Sequence, residues 1–144
     1  MLKFVFWDVQ HGSAIYIKTP NGKNIVIDLG MGSYSDSDFE FSPLLHLKNN
    51  YNIDQLHGII ITHPHRDHLD DIFHFHELSP QVLLIPRHLS ESDIKDGNRE
   101  QDAEVINKYL EINTKYTSEV NTEEDPFNSQ NNGGVEFKFF LPSS

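Results

Sequence analysis

Thr62-His63-Pro64-His65-Arg66-Asp67-His68 places three imidazoles and a carboxylate within six residues, directly after the apolar run Gly58-Ile59-Ile60-Ile61. A short apolar run bounded by polar residues reads as a buried strand, so the histidines leave the sheet at that strand's end. In an extended loop, residues two apart project to one side, and Pro64 favours an extended backbone at His63. His63 and His65 can therefore grip one divalent ion. Asp67 and His68, at the start of a following helix, can reach a second. Imidazole nitrogen and carboxylate oxygen both bind zinc at about 2.0–2.2 Å, and an all-N/O set also suits manganese or iron. The bland alternative is a solvated strand-to-helix loop that happens to carry histidines.

The surrounding chain has a strand-first order. Residues 2–8 carry apolar side chains on both faces (Leu2, Phe4 and Phe6; Val5 and Trp7), which predicts a strand in the interior of a layered structure. Residues 14–18 and 24–28 are further strands, joined by Thr19-Pro20-Asn21-Gly22-Lys23, a strong hairpin signal. The second of these ends in Asp28-Leu29-Gly30, and residues 30–38 read as an exposed loop. Ser42-Pro43 can cap a helix over 43–50. The strand at 57–62 leads to the histidine loop, and Asp67 sits at the expected N-cap of a helix over 68–77. Another strand spans 81–85. Residues 90–112 form a helical excursion interrupted near Asp96-Gly97-Asn98, residues 117–134 loop out, and 135–141 is a last strand. Strands and a hairpin followed by strand–helix–strand suit an α/β sandwich.

At 144 residues the chain is long enough for one domain. There is no apolar run of the roughly 18 residues that a membrane span needs, and the start lacks the pattern of a signal peptide. A cytoplasmic location is the default. With no cysteine, thiolate metal sites and disulfides are excluded. The 22 acidic against 11 basic residues leave a net charge of −11, which opposes nonspecific binding to nucleic acid or anionic membrane. It leaves a nuclease open, because bound divalent cations reverse the local field.

His63-Pro64-His65-Arg66-Asp67-His68 resembles the signature of the metallo-β-lactamase superfamily. The upstream stretch from Asp8 to Gly30, with its Thr-Pro-Asn-Gly hairpin and Ile-Asp-Leu-Gly strand end, is similar to the start of the competence-protein branch, the DNA-uptake proteins with a hydrolase domain. The resemblance covers residues 1–85 well. It implies an αββα sandwich, of which residues 1–144 would be the first half only, a mixed sheet with helices on one side. It also implies that His63 and His65 ligate a first metal, and Asp67 and His68 a second. Asp67 would be the catalytic carboxylate, acting as ligand and orienter. Asp28 would stand behind the ligands and orient the histidine loop; the competing reading is an ordinary strand-end turn. Histidine pairs of the amidohydrolase and polymerase-and-histidinol-phosphatase barrels are a weaker match, since those usually follow the first strand and lack the trailing Asp-His.

The superfamily normally adds a further histidine, a bridging aspartate and a final histidine, and no Gly-Asp or His-His-Gly-Ser segment follows residue 90. The expected completion is a C-terminal half, supplied by continuation of the chain or by a partner. Completed, a site with two zinc ions would activate water for hydrolysis, with a phosphodiester, single-stranded nucleic acid included, as the substrate that the competence-like start suggests. The rival expectations are a truncated or split non-catalytic metal-binding half-domain, and a thioester, lactone or lactam hydrolase. His11 and His88 are candidates for the border of the site. His74 and His76, two apart on a helix, are expected at the surface or in packing, and His46 and His57 lack supporting spacing.

Overall fold

The computed structural model describes residues 1–9, 12–33 and 40–138. The β-branched and aromatic runs form β1 (Lys3–Val9), β2 (Gly12–Lys18) and β3 (Asn24–Ile27), an antiparallel meander. Gly22 turns the second hairpin at φ +87°, where a side chain would be strained. A short strand, β4 (Gly32–Ser33), lies inside the span 30–38 expected as an exposed loop and pairs with β5 (Glu40–Phe41) just beyond it. Residues 34–39 lie outside the described residues.

Helix α1 (Pro43–Asn50) begins as expected: Ser42 Oγ accepts from the Leu45 N–H, and Pro43 takes the first turn, where its missing N–H costs nothing. The chain returns as β6 (Gly58–Ile60), parallel to β3, and β7 (Val82–Leu84) pairs parallel to β6. The result is a mixed sheet in the order β1-β2-β3-β6-β7. Helices α2 (Glu91–Asp96) and α3 (Ala103–Asn113) follow, with a capping box at Ser90 and Asp93 starting the first. The break near residues 96–98 falls where the sequence puts it. No helix among the described residues is long and apolar enough to cross a membrane.

Strand register divides the sheet into two faces. Val5, Tyr16, Val26, Ile59 and Leu83 align across the five strands and share one face. That face packs against Leu44 and Leu47 of α1, Ile72 and Phe75, and Ile106 and Tyr109 of α3. Full burial of such a side chain contributes about 1.5–3 kcal/mol each, so this layer is the core. The fold is α/β with a helical layer on one side of the sheet, as expected.

The other face carries Phe4, Phe6, Ile15, Ile17, Ile25, Ile27 and Ile60. Its cover comes from the segment expected to loop out. Residues 117–124 are exposed as expected, but 126–133 fold back on the sheet: Phe127 lies over Gly58, Asn21 Nδ2 donates to the Asn131 carbonyl at 2.6 Å, and Asn132 is fully buried. Asn132 makes this possible by donating to the carbonyls of Pro126 and Val135 and accepting from the Val135 N–H, so polar backbone can be buried without loss.

Three other expectations are corrected. Among the described strands β1 lies at the edge of the sheet rather than in its interior, and Phe4 and Phe6 are exposed. The helix over 68–77 is 3₁₀ in character, one turn at Arg66–His68 and a longer stretch at Asp70–Glu77, and Asp67 lies inside the first turn rather than at its cap. Residues 135–138 of the expected last strand are not in a sheet; Phe137 packs edge-on against Phe127 instead, and 139–141 lie outside the described residues.

One buried carboxylate ties α1 to the 3₁₀ segment. Asp71 accepts from the Ser42 hydroxyl at 2.6 Å and the Leu44 N–H at 2.9 Å, with His74 Nδ1 at 2.7 Å. Burial raises its carboxyl above the usual range, against the opposing pull of Ser42, Leu44 and His74.

Two outcomes follow from this packing. A methyl group at Gly58 would stand 2.5 Å from Phe127 Cζ, so Gly58→Ala should cost about 1–3 kcal/mol in urea unfolding, and little in a Phe127→Ala background. Asp71→Asn should cost about 1–3 kcal/mol, because an amide nitrogen must face one of the three donors. A raised folded pKa gives the wild type extra stability below pH 3.8, which is lost as pH rises through the folded value. Unfolding from pH 3 to 7 should therefore show the wild type's advantage over Asp71→Asn shrinking as pH rises; a constant gap would contradict the shift.

Candidate metal centre

The three parallel strands β3, β6 and β7 end along one edge of the sheet, the edge at which open α/β sheets place ligand sites. Asp28 follows β3 there, and Thr62 to His68 follow β6. Asp28 has a left-handed backbone, φ +61°, and is buried to 3% exposure. Such a conformation is uncommon outside glycine, with Asp and Asn the better-tolerated exceptions. It turns the carboxylate under the next loop.

That carboxylate accepts the Thr62 N–H at 2.8 Å and the Thr62 hydroxyl at 2.6 Å. The same hydroxyl oxygen lies 3.0 Å from His63 Nδ1. Asp28 Oδ2 is also 3.0 Å from His68 Nδ1, in a direction that does not complete a hydrogen bond, so this buried nitrogen has no formed bond. The carboxylate beside it raises the His68 pKa, with burial acting the other way. Backbone bonds reinforce the junction: the Asp28 N–H donates to the Ile60 carbonyl and the Leu29 N–H to the His68 carbonyl, each at 2.7 Å.

The loop brings the histidine rings into a group. The His63 centroid is 5.3 Å from that of His68 and 6.4 Å from that of His65. His63, His65 and Asp67 are exposed, Pro64 is buried, and His68 is half-buried. Among the described residues no three His, Cys, Asp or Glu side chains are placed so as to hold a metal ion. The donor chemistry nonetheless fits a divalent ion. The imidazoles of His63, His65 and His68 share the loop with the Asp67 carboxylate, and His68 Nδ1 lies against Asp28. The fit is in kind and partial in number.

A family model of the metallo-beta-lactamase superfamily matches residues 7–138. The chain belongs to this superfamily. No curated protein and no solved structure matches it significantly.

The remaining histidines divide by environment. His74 is held by Asp71, and His76 is exposed. His57 Nδ1 accepts the Asn24 N–H at 2.9 Å, and burial followed by the charge of Lys23 lowers its pKa. His46 sits among the rings of Trp7, Phe41 and Tyr51. His88 is exposed beyond β7, and His11 lies outside the described residues. Sequence reading passed over Thr62, whose hydroxyl bridges Asp28 and His63. Its only signal is its position between the strand and the first histidine.

Asp28 carries a direct prediction. Asp28→Ala loses both Thr62 bonds and places alanine at positive φ, for a cost of about 3 kcal/mol in chemical denaturation. Asp28→Asn keeps an acceptor and tolerates the backbone, so its cost should be less than half as large. Equal losses would show that Thr62 does not depend on the carboxylate's geometry.

Proposed function

We propose that this chain contributes one side of a metal-dependent hydrolase centre. In this reading His63 and His65 bind one divalent ion, Asp67 and His68 a second, and Asp28 orients the loop from below. The grouping of the three imidazoles at the C-terminal edge of the parallel strands, above a buried carboxylate, is the observation that carries it. Zinc suits these donors best, with manganese or iron as alternatives. A catalytic zinc usually takes three protein ligands and leaves a position for water. The further ligands therefore come from protein outside the described residues, in the same chain or in a partner.

When bound, such ions supply hydroxide near neutral pH and stabilise charge on the attacked group. This chain's own residues position that chemistry. Thr62 fixes the His63 side of the loop through Asp28, and the Asp28 carboxylate favours a proton on His68 Nδ1, leaving Nε2 to bind metal. Asp67 acts as ligand and orienter, not as a free-standing base. A phosphodiester, single-stranded nucleic acid among the candidates, is the proposed substrate. It rests on the likeness of residues 8–30 to the competence-protein branch, because fold by itself does not set chemistry. The partial ligand set also supports a second reading, a metal-binding half-domain without turnover of its own.

Titration of the chain with zinc chloride in a calorimeter tests the site. Wild type should bind the ion, and His65→Ala, which removes a ligand, should abolish measurable binding. Unchanged binding would overturn the assignment. Hydrolysis of bis-nitrophenyl phosphate by the zinc-loaded chain would support the hydrolase reading, whereas metal binding without it would favour the half-domain.

A further inference from the structure

The end of α2 touches the histidine loop at several points, from more than 30 residues away. The Asn98 side chain contacts the loop on both sides of His65. Its Oδ1 accepts the Arg66 N–H at 3.2 Å, and its Nδ2 donates to the Pro64 carbonyl at 2.8 Å. The same nitrogen donates to the Ile94 carbonyl at 2.8 Å, anchoring the amide to α2. One side chain thus spans the two peptide groups that set the position of His65.

Arg66 adds a second link. Its Nε donates to Asp70 Oδ1 at 3.1 Å and its Nη1 to Asp102 Oδ1 at 3.0 Å. Asp102 is buried, at 4% exposure, and also accepts from the Arg99 N–H. Charge-assisted bonds to a buried carboxylate are stronger than neutral ones and directional. The loop is therefore joined to the α2–α3 connection by both its backbone and its one arginine.

Gly97 supplies the third contact. Its φ is −81°, which any residue adopts. A Cβ there would nevertheless stand 3.5 Å from His65 Nε2, within ordinary contact distance, and anything longer would press on the imidazole. Space beside His65, rather than backbone freedom, is what glycine provides at this position.

We infer that the α2–α3 connection is a clamp that sets where His65 sits, with Asn98 as its central positioning residue and Gly97 as the seat for the ring. This deepens the metal-centre reading and rests on it for its functional meaning. A displaced outer partner of a metal ligand typically costs 10–100-fold in affinity. The clamp acts through His65 and touches neither metal nor substrate.

The test titrates zinc chloride into the full chain as wild type, Asn98→Ala, Gly97→Val and His65→Ala, while amide exchange is followed at Arg66 and NMR signals of the histidine rings are recorded. Asn98→Ala should weaken zinc binding by about tenfold or more and speed Arg66 exchange by a similar factor. Gly97→Val should move the His65 ring signals more than those of His63. Wild-type affinity in Asn98→Ala would overturn the inference. If wild type itself binds no zinc, the metal reading fails, and the clamp is then judged on Arg66 exchange: acceleration in Asn98→Ala supports it, and unchanged exchange overturns it. If Asn98→Ala does not fold, Gly97→Val decides by the His65 signals and zinc affinity, with no change in either overturning the clamp.

Discussion

The bonds between the Asp28 carboxylate and Thr62 join the histidine loop to the sheet beneath it. They link the end of β3 to the end of β6 at the point where the sheet gives way to the histidine loop. A carboxylate buried to 3% exposure is costly unless its oxygens find donors. Here the N–H and hydroxyl of a single residue supply them. The left-handed backbone at Asp28 is part of the same arrangement, because it delivers the carboxylate beneath the loop. Strain in the chain and satisfaction of the buried charge are thus met by one turn.

The loop is supported from opposite directions by different chemistry. On the sheet side, Asp28 acts through Thr62 and lies beside His68. On the helical side, Asn98 and Asp102 act through the backbone and the Arg66 guanidinium. His63, His65 and Asp67 are exposed, so the loop that carries them is restrained through its backbone, Thr62 and Arg66.

What could be read from the sequence was local. Pro20-Asn21-Gly22, Ser42-Pro43 and the Ile59–Ile61 run each carry their structural instruction within a few residues, and the elements they predict are present. The histidine cluster was visible for the same reason. Within the expected loop over 117–134, the return of residues 126–133 to the sheet was not legible, because asparagines that satisfy nearby backbone carbonyls have the composition of a solvent loop. Its Phe127 finds Gly58 only in three dimensions. The edge position of β1 was hidden because two apolar faces say that a strand could be buried, not that cover is at hand. Asn98 looked like a helix stop, and nothing near it in sequence points to Pro64 or Arg66.

Strand pairing separates the sheet into parts of unequal range. Ile17 and Ile25, partners in the meander, are eight residues apart, whereas Ile27 and Ile60, partners beneath the histidine loop, are 33 apart. Closing the longer connection costs about 1.3 kcal/mol more in chain entropy. Non-local pairing of this kind slows folding. The meander can therefore organise from neighbours alone, while the edge bearing Asp28 and the histidines waits for the crossover through α1. The geometry of the histidine edge thus depends on pairing between residues far apart in the chain, whereas the meander depends on near neighbours.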